Sequence, residues 1–220
     1  LITIKIHLFK ASWHRPFIAK TVNFDIILYK ISNMNIHSII DNIYLLPKAS
    51  KELLMGNIST VDYPKGALLF ESDKIEKNIY FIDKGIVRAY VDNKDQEITF
   101  WFGKEGDTIV SMKSYIANQK GYESIELLED CTLFELNTQH LKELFDIDIH
   151  LANWGRKFAE QELLKTEERL ISIQFKTALE RYEALLKETP DLLLRVQLKH
   201  IASYLGITQV SLSRIRKQIK

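Results

Sequence analysis

Apolar residues in this chain change rhythm several times, and each change predicts an element. From 35 to 54, Ile36, Ile39, Ile40 and Ile43 recur at helical spacing, and Pro47 breaks the pattern before a second short helix around 50–55. The period then drops towards two. Asn78-Ile79-Tyr80-Phe81-Ile82, Ile86-Val87-Arg88-Ala89-Tyr90-Val91 and Glu97-Ile98-Thr99-Phe100-Trp101-Phe102 are rich in β-branched and aromatic residues, with further strands expected at 124–128 and 132–136. Pro64-Lys65-Gly66, Asp83-Lys84-Gly85 and Lys104-Glu105-Gly106-Asp107 punctuate them, so glycine turns recur at nearly regular intervals. Many short strands at this spacing predict an antiparallel sandwich or barrel.

Helical spacing returns with Asn137 as the N-cap of a helix over 139–145. A longer tract follows over 149–174, in which Leu151, Trp154 and Phe158 mark one apolar stripe. Its polar middle, from Gln161 to Arg169, is too long for a small domain to bury. A helix that leaves a β-domain in this way is expected to form a dimer seam. Another helix over 178–187 turns Tyr182, Leu185 and Leu186 inward, and Thr189-Pro190 ends it.

The last segment carries the sharpest signal. Ile201 and Leu205 lie four apart on one short helix, and Leu212 and Ile215 lie three apart on the next. Ala202 is small where the two would cross closely. Gly206 stands where the first helix must end left-handed, and Thr208 supplies a cap for the second. That combination predicts a helix-turn-helix whose second helix enters a DNA major groove. The remaining surface agrees, since Lys199, Thr208, Gln209, Val210, Ser211, Ser213, Arg214, Arg216 and Lys217 include the residue types that read base edges and phosphates. From 192 to 220 there are six Lys/Arg and no Asp or Glu, although the whole chain has a net charge of only +1. The basic surface is therefore local, which argues against indiscriminate coating of nucleic acid or membrane.

Composition narrows the rest. With 46% apolar and 27% charged residues the 220-residue chain is an ordinary globular protein with room for two modest domains. Cys131 is the single cysteine, so one chain can build neither a disulfide nor an iron–sulfur cluster, and a reducing cytoplasmic setting is expected. No His lies in the barrel region 59–136, which argues against a metal-dependent barrel enzyme, and no nucleophile elbow or phosphate loop appears. His140, His150 and His200 fall on predicted helices and read as surface or packing residues. Residues 1–33 carry a charge every fifth position from Lys5 to Lys30, so no membrane span or signal core fits there. They read as an extension that contributes little to function, the alternative being a basic arm.

Helices, a glycine-punctuated β-barrel, a long connecting helix and a helix-turn-helix, in that order, resemble the Crp/Fnr transcription regulators over 34–220. The runs Glu180-Arg181-Tyr182 and Ile201-Ala202-Ser203-Tyr204-Leu205-Gly206-Ile207-Thr208 resemble the branch common in Bacteroidetes. The resemblance implies an α+β fold: an antiparallel β-roll sensor with flanking helices at 34–145, a dimerisation helix at 146–175, and a winged-type helix-turn-helix at 176–220. It implies a homodimer on a palindromic double-stranded DNA operator, half-sites roughly 34 Å apart, with RNA polymerase as a further partner. On this alignment Arg214 matches an arginine that reads guanine. Val210 stands where the family usually has a glutamate and could instead touch a thymine methyl, so a different operator is expected.

The sensor positions depart further from the resemblance. Where a cyclic-nucleotide pocket has Gly-Glu-Leu this chain has Val110-Ser111-Met112, and where it has Arg-Ser or Arg-Thr the chain has Glu123-Ser124. A carboxylate ~4 Å from a phosphate costs about 4 kcal/mol at an effective dielectric near 20. Cyclic AMP is therefore not expected as the ligand. Ser111, Met112, Glu123 and Ser124 remain the effector-pocket candidates, with the effector itself unspecified. The competing expectation is an adaptor whose β-roll binds a small effector and whose basic tail contacts protein.

Overall fold

The computed structural model describes residues 35–93 and 96–219, and the expectations for 1–33 lie outside the described residues. Two helices come first, α1 (Ile36–Ile43) and α2 (Lys48–Met55). Strands β1 (Ile58–Tyr63), β2 (Leu68–Phe70), β3 (Asn78–Lys84), β4 (Val87–Asn93), β5 (Gln96–Gly103) and β6 (Thr108–Ile109) follow. A short helix α3 (Met112–Ala117) precedes β7 (Ser124–Leu127) and β8 (Cys131–Asn137). The chain then runs through α4 (Thr138–Ile147), α5 (Ile149–Phe175), α6 (Ala178–Glu188), α7 (Leu192–Arg195), α8 (Leu198–Tyr204) and α9 (Gln209–Ile219).

The strands pair antiparallel in two four-stranded sheets, β1-β8-β3-β6 and β2-β7-β4-β5. Strand β3 shows why its centre is apolar at four successive positions, from Ile79 to Ile82. Tyr80 and Ile82 point between the sheets, where they meet Phe70, Ile109, Leu127 and Leu133. Ile79 and Phe81 point outward and are covered by Ile39, Leu141, Leu151 and Trp154 from the flanking helices. A strand buried on both faces reads as a continuous apolar run, so the alternation that marks a half-exposed strand is absent. The turn glycines Gly66, Gly85 and Gly106 all adopt positive φ, at +83°, +111° and +91°.

Helix α5 has two different halves. Leu151, Trp154 and Phe158, expected to mark a dimer-forming stripe, are 0%, 0% and 2% exposed inside the chain's own core. The Trp154 indole N–H donates to the Ile40 carbonyl at 3.1 Å, and its ring stacks on Phe158 at 5.9 Å. These three residues are therefore intrachain anchors. Apart from Ile149 at its start, the large apolar residues that α5 leaves exposed come later, at Leu163, Leu164, Leu170, Ile171, Ile173 and Phe175. Periodicity identified an apolar face correctly but could not say what covers it.

Candidate nucleic-acid interface and effector cavity

Helices α8 and α9 are joined as their residues require. Gly206 sits at φ +67°, its N–H donates to the Ser203 carbonyl at 2.9 Å, and the Ile207 N–H reaches back to Ala202 at 3.0 Å. Those crossed bonds satisfy carbonyls the helix end would otherwise leave open, and only a residue without Cβ adopts the conformation cheaply. Thr208 Oγ1 accepts from the Ser211 N–H at 3.2 Å and caps α9. Ile201, Ala202, Leu205 and Leu212 are buried at the crossing, with Ile215 packed against them.

The outer face of α9 is left to solvent. Gln209, Val210, Ser213, Arg214, Arg216 and Lys217 are exposed, as are Thr208 and, on α8, Lys199. Ser211 is half-buried, 3.0 Å from the Thr208 hydroxyl. Among the described residues Lys199, Arg214, Arg216 and Lys217 form no ion pair with a carboxylate. Arg195, by contrast, faces inward and binds Glu105 at 2.7 Å and Glu129 at 2.5 Å. It is spent on the β-roll and leaves the basic face to its neighbours. No strand lies among the described residues of 176–219, so the helix-turn-helix is seen there without a wing.

The inner face of α8 rests on β5. Ser203 Oγ accepts from the Thr99 N–H at 2.9 Å and donates to the Glu97 carbonyl at 3.0 Å. Below it, Arg88 is 3% exposed, ion-paired with Glu97 and Glu126 and 4.2 Å above the Tyr90 ring. His200 is buried beside this cluster, and burial, with the positive charges of Arg88 and Lys199, lowers its pKa to about 4. It is neutral at physiological pH. Lys104 adds an ion pair to Asp191 at 3.2 Å. Two further arginines hold the turn from behind: Arg169 of α5 donates to the Tyr204 carbonyl, and Arg181 of α6 donates to the Leu205 carbonyl at 2.8 Å. Cations on helix-terminal carbonyls are favoured by the helix dipole.

A cavity of about 240 Å³ lies between the β-roll and α5. Its apolar wall comes from Ala89, Phe100, Trp101, Val110, Met112 and Ile125, with Tyr122 and Thr108 beside them. Glu123 lines it from the roll; Glu162, Lys165, Thr166 and Arg169 line it from the helix. Of the effector-pocket candidates, Met112 and Glu123 therefore reach the cavity. Ser111 and Ser124 do not line it and are buried in local hydrogen bonds, Ser111 with Ser114 at 3.1 Å and Ser124 with the Ser72 N–H at 3.2 Å. The Glu123 carboxylate accepts from the Tyr122 N–H at 3.0 Å. Sequence reasoning missed the helix side of the cavity, because nothing in the sequence places residues 162–169 opposite a strand some sixty positions earlier. Cys131 is buried, with its thiol pushed up to about 11 by that burial and by nearby acidic residues. It is an inert packing residue.

Residues 60–148 match the family described as Cyclic nucleotide-binding domain. Among solved structures, FixK2 from Bradyrhizobium japonicum superposes with a TM-score of 0.65 at 22% identity, over 74% of this chain and 84% of that one. A Crp/Fnr-family protein from Eubacterium rectale gives 0.63 at 19% identity, over 79% and 83%. The c-di-GMP responsive global regulator CLP from Xanthomonas campestris gives 0.60 at 17%, over 79% and 91%. No curated relative matches at the level of sequence. These likenesses establish the fold: a β-roll of the cyclic nucleotide-binding type carrying a C-terminal helical domain, as in the Crp/Fnr regulators. Among the described residues no helix is long and apolar enough to cross a membrane.

Proposed function

We propose that this chain, a cyclic nucleotide-binding-type β-roll on the Crp/Fnr fold, is a homodimeric, sequence-specific DNA-binding transcription regulator that does not respond to cyclic AMP. The observation that carries the reading is the outer face of α9, where exposed Gln209, Arg214, Arg216 and Lys217 stand on a capped helix without a carboxylate partner among the described residues. A helix so presented can place its N-terminal residues against base edges while Lys199, Arg216 and Lys217 meet phosphates. The division of labour follows: a sensor at 34–145, a dimer helix over 146–175 and a DNA module at 176–220.

Dimerisation is supported by the far half of α5. Leu163, Thr166, Leu170 and Ile173 succeed one another at steps of three, four and three, the spacing of a coiled-coil seam, and the leucines are 71% and 53% exposed. Leu163→Glu with Leu170→Glu is expected to give a folded monomer by sedimentation. A dimer that survives both charges sinks this seam.

Against cyclic AMP stands Glu123, which lines the cavity where a phosphate partner would be needed. The test is enrichment of genomic fragments by the purified protein, with and without cyclic AMP. A palindromic site recovered equally in both arms, with binding that weakens steeply as salt rises, supports the reading. Recovery only with cyclic AMP overturns the sensor part, and no enrichment in either arm overturns the DNA part in favour of a protein-binding adaptor. On the recovered site Arg214→Ala should cost about 1–3 kcal/mol and relax specificity at one position. An equal loss on random DNA would show Arg214 to be a phosphate contact.

A further inference from the structure

We infer that the cavity between the β-roll and α5 takes a small amphipathic carboxylate, a ring- or chain-bearing organic monoanion whose charged end meets the Arg169 guanidinium. The inference rests on the regulator reading only in calling that molecule an effector; the site stands on its own geometry.

The walls set the body of the ligand. Phe100, Trp101, Val110, Met112 and Ile125 offer aromatic and aliphatic surface, and about 240 Å³ is below the roughly 300–1,000 Å³ of drug-sized pockets, which suits one or two rings or a short chain. The charges set its head. Of the two cations on the helix side, Lys165 is already paired with Glu162 at 2.8 Å. Arg169 has no carboxylate partner among the described residues. Its guanidinium stacks 3.7 Å from the Tyr204 ring centroid, donates to the Tyr204 carbonyl, and leaves Nε buried without an acceptor. Burial, with the neighbouring Arg181 charge, weakens its hold on the proton, yet arginine stays a cation at any ordinary pH.

A half-buried guanidinium that lines the cavity and has no carboxylate partner among the described residues is what a ligand carboxylate would complete, through the terminal nitrogens of the fork. A neutral molecule of the same shape would fill the walls and leave the guanidinium uncompensated. A phosphate diester with a sugar and base would bring a bulkier polar group against Glu123 and Glu162, both of which line the same space. Polarity is thus reversed relative to the resemblance-based expectation: the roll contributes the anion and the long helix contributes the cation.

The experiment is calorimetric titration of the full chain with phenylacetate, indole-3-acetate and octanoate, beside phenylacetamide and cyclic AMP. The expected result is binding of at least one carboxylate and tenfold or weaker binding of the amide. In Arg169→Gln the carboxylate should weaken tenfold or more; in Arg169→Lys, which keeps the charge but loses the planar fork, the loss should be smaller. Circular dichroism checks that each variant is folded, and Arg169→Lys carries the test if Arg169→Gln is not. Amide bound as tightly as carboxylate, carboxylate unaffected by either variant, or no carboxylate bound at millimolar concentration each overturns the proposal. DNA enrichment on the same protein separates the readings. A chain that binds carboxylate and enriches no DNA keeps this site and loses the regulator, and the converse loses the site alone.

Discussion

The β-roll is covered on its two outer faces by different chemistry. Over the β1-β8-β3-β6 sheet, α1, α2, α4 and the first half of α5 form a dry layer in which Ile39, Ile40, Leu54, Phe81, Leu151 and Trp154 are all 0–1% exposed. Over the other sheet the helix-turn-helix module adds a smaller apolar patch, centred on Ile86, Tyr182, Ile201 and Leu205. That patch is ringed by polar links: Ser203 to Thr99 and Glu97, Arg195 to Glu105 and Glu129, and Lys104 to Asp191. The difference is one of reversibility. Separating the first layer would expose aromatic and aliphatic surface for which water offers nothing. The ion pairs and hydrogen bonds of the second exchange for water at small net cost. The first face is built to stay closed, and the second separates from its support at lower cost.

The contrast predicts a descending series of effects. Trp154→Ala should be the most damaging, costing about 3–5 kcal/mol through the lost aromatic volume and the abandoned Ile40 carbonyl. Denaturant unfolding should show it as a global loss, shared by probes on both faces; a loss confined to α8 and α9 would contradict the permanence of the first layer.

Acid should act next, and on the second face. His200 is held neutral in the folded chain by burial and by Arg88 and Lys199, against the pull of Glu126 and Glu97, with its pKa lowered to about 4. The unfolded chain takes up that proton near the ordinary value of about 6.5, so this residue's contribution is complete above that pH. It falls as pH drops from about 6.5 to about 4 and is then constant, for a total of at most about 3 kcal/mol. His200→Gln should flatten that part of the stability profile, and an unchanged slope would remove His200 from the seam's pH response.

The smallest effect is expected from Ser203→Ala, which leaves the Thr99 N–H without its partner and should cost about 1–2 kcal/mol. Hydrogen exchange should quicken in α8 and β5 while the amides of the first half of α5 stay protected. Faster exchange across the whole chain would mean that the two faces open together.

Much of this architecture was legible in residues that answer to local rules. Gly206, Thr208 and Asn137 ended or began helices where their backbone and side-chain chemistry required, and the glycine turns expected in the roll fall at Gly66, Gly85 and Gly106, all at positive φ. Three strands and two short helices were not anticipated: β1, β2, β6, α3 and α7. Strand β6 is two residues long and β2 three, too short for any period to show, and β1 alternates weakly because much of it is exposed. For the cavity, Met112 and Glu123 were found by position in a resemblance, whereas Arg169 and Lys165 were hidden within a run of charges that looked like solvated helix.

What the sequence determined by itself is therefore everything set by neighbours along the chain: element type, turn positions, the helix-turn-helix, and the one-signed surface beyond Leu192. Tertiary structure decided how the two halves of α5 differ, with Trp154 sealed in a core and Leu163 left facing outward. It also turned Arg195 inward, and it brought Arg169 to a cavity wall and a helix end at once. The physical reason is that periodicity records only which face of an element is apolar or charged. What that face meets depends on segments tens of residues away, whose approach is fixed by packing the whole chain.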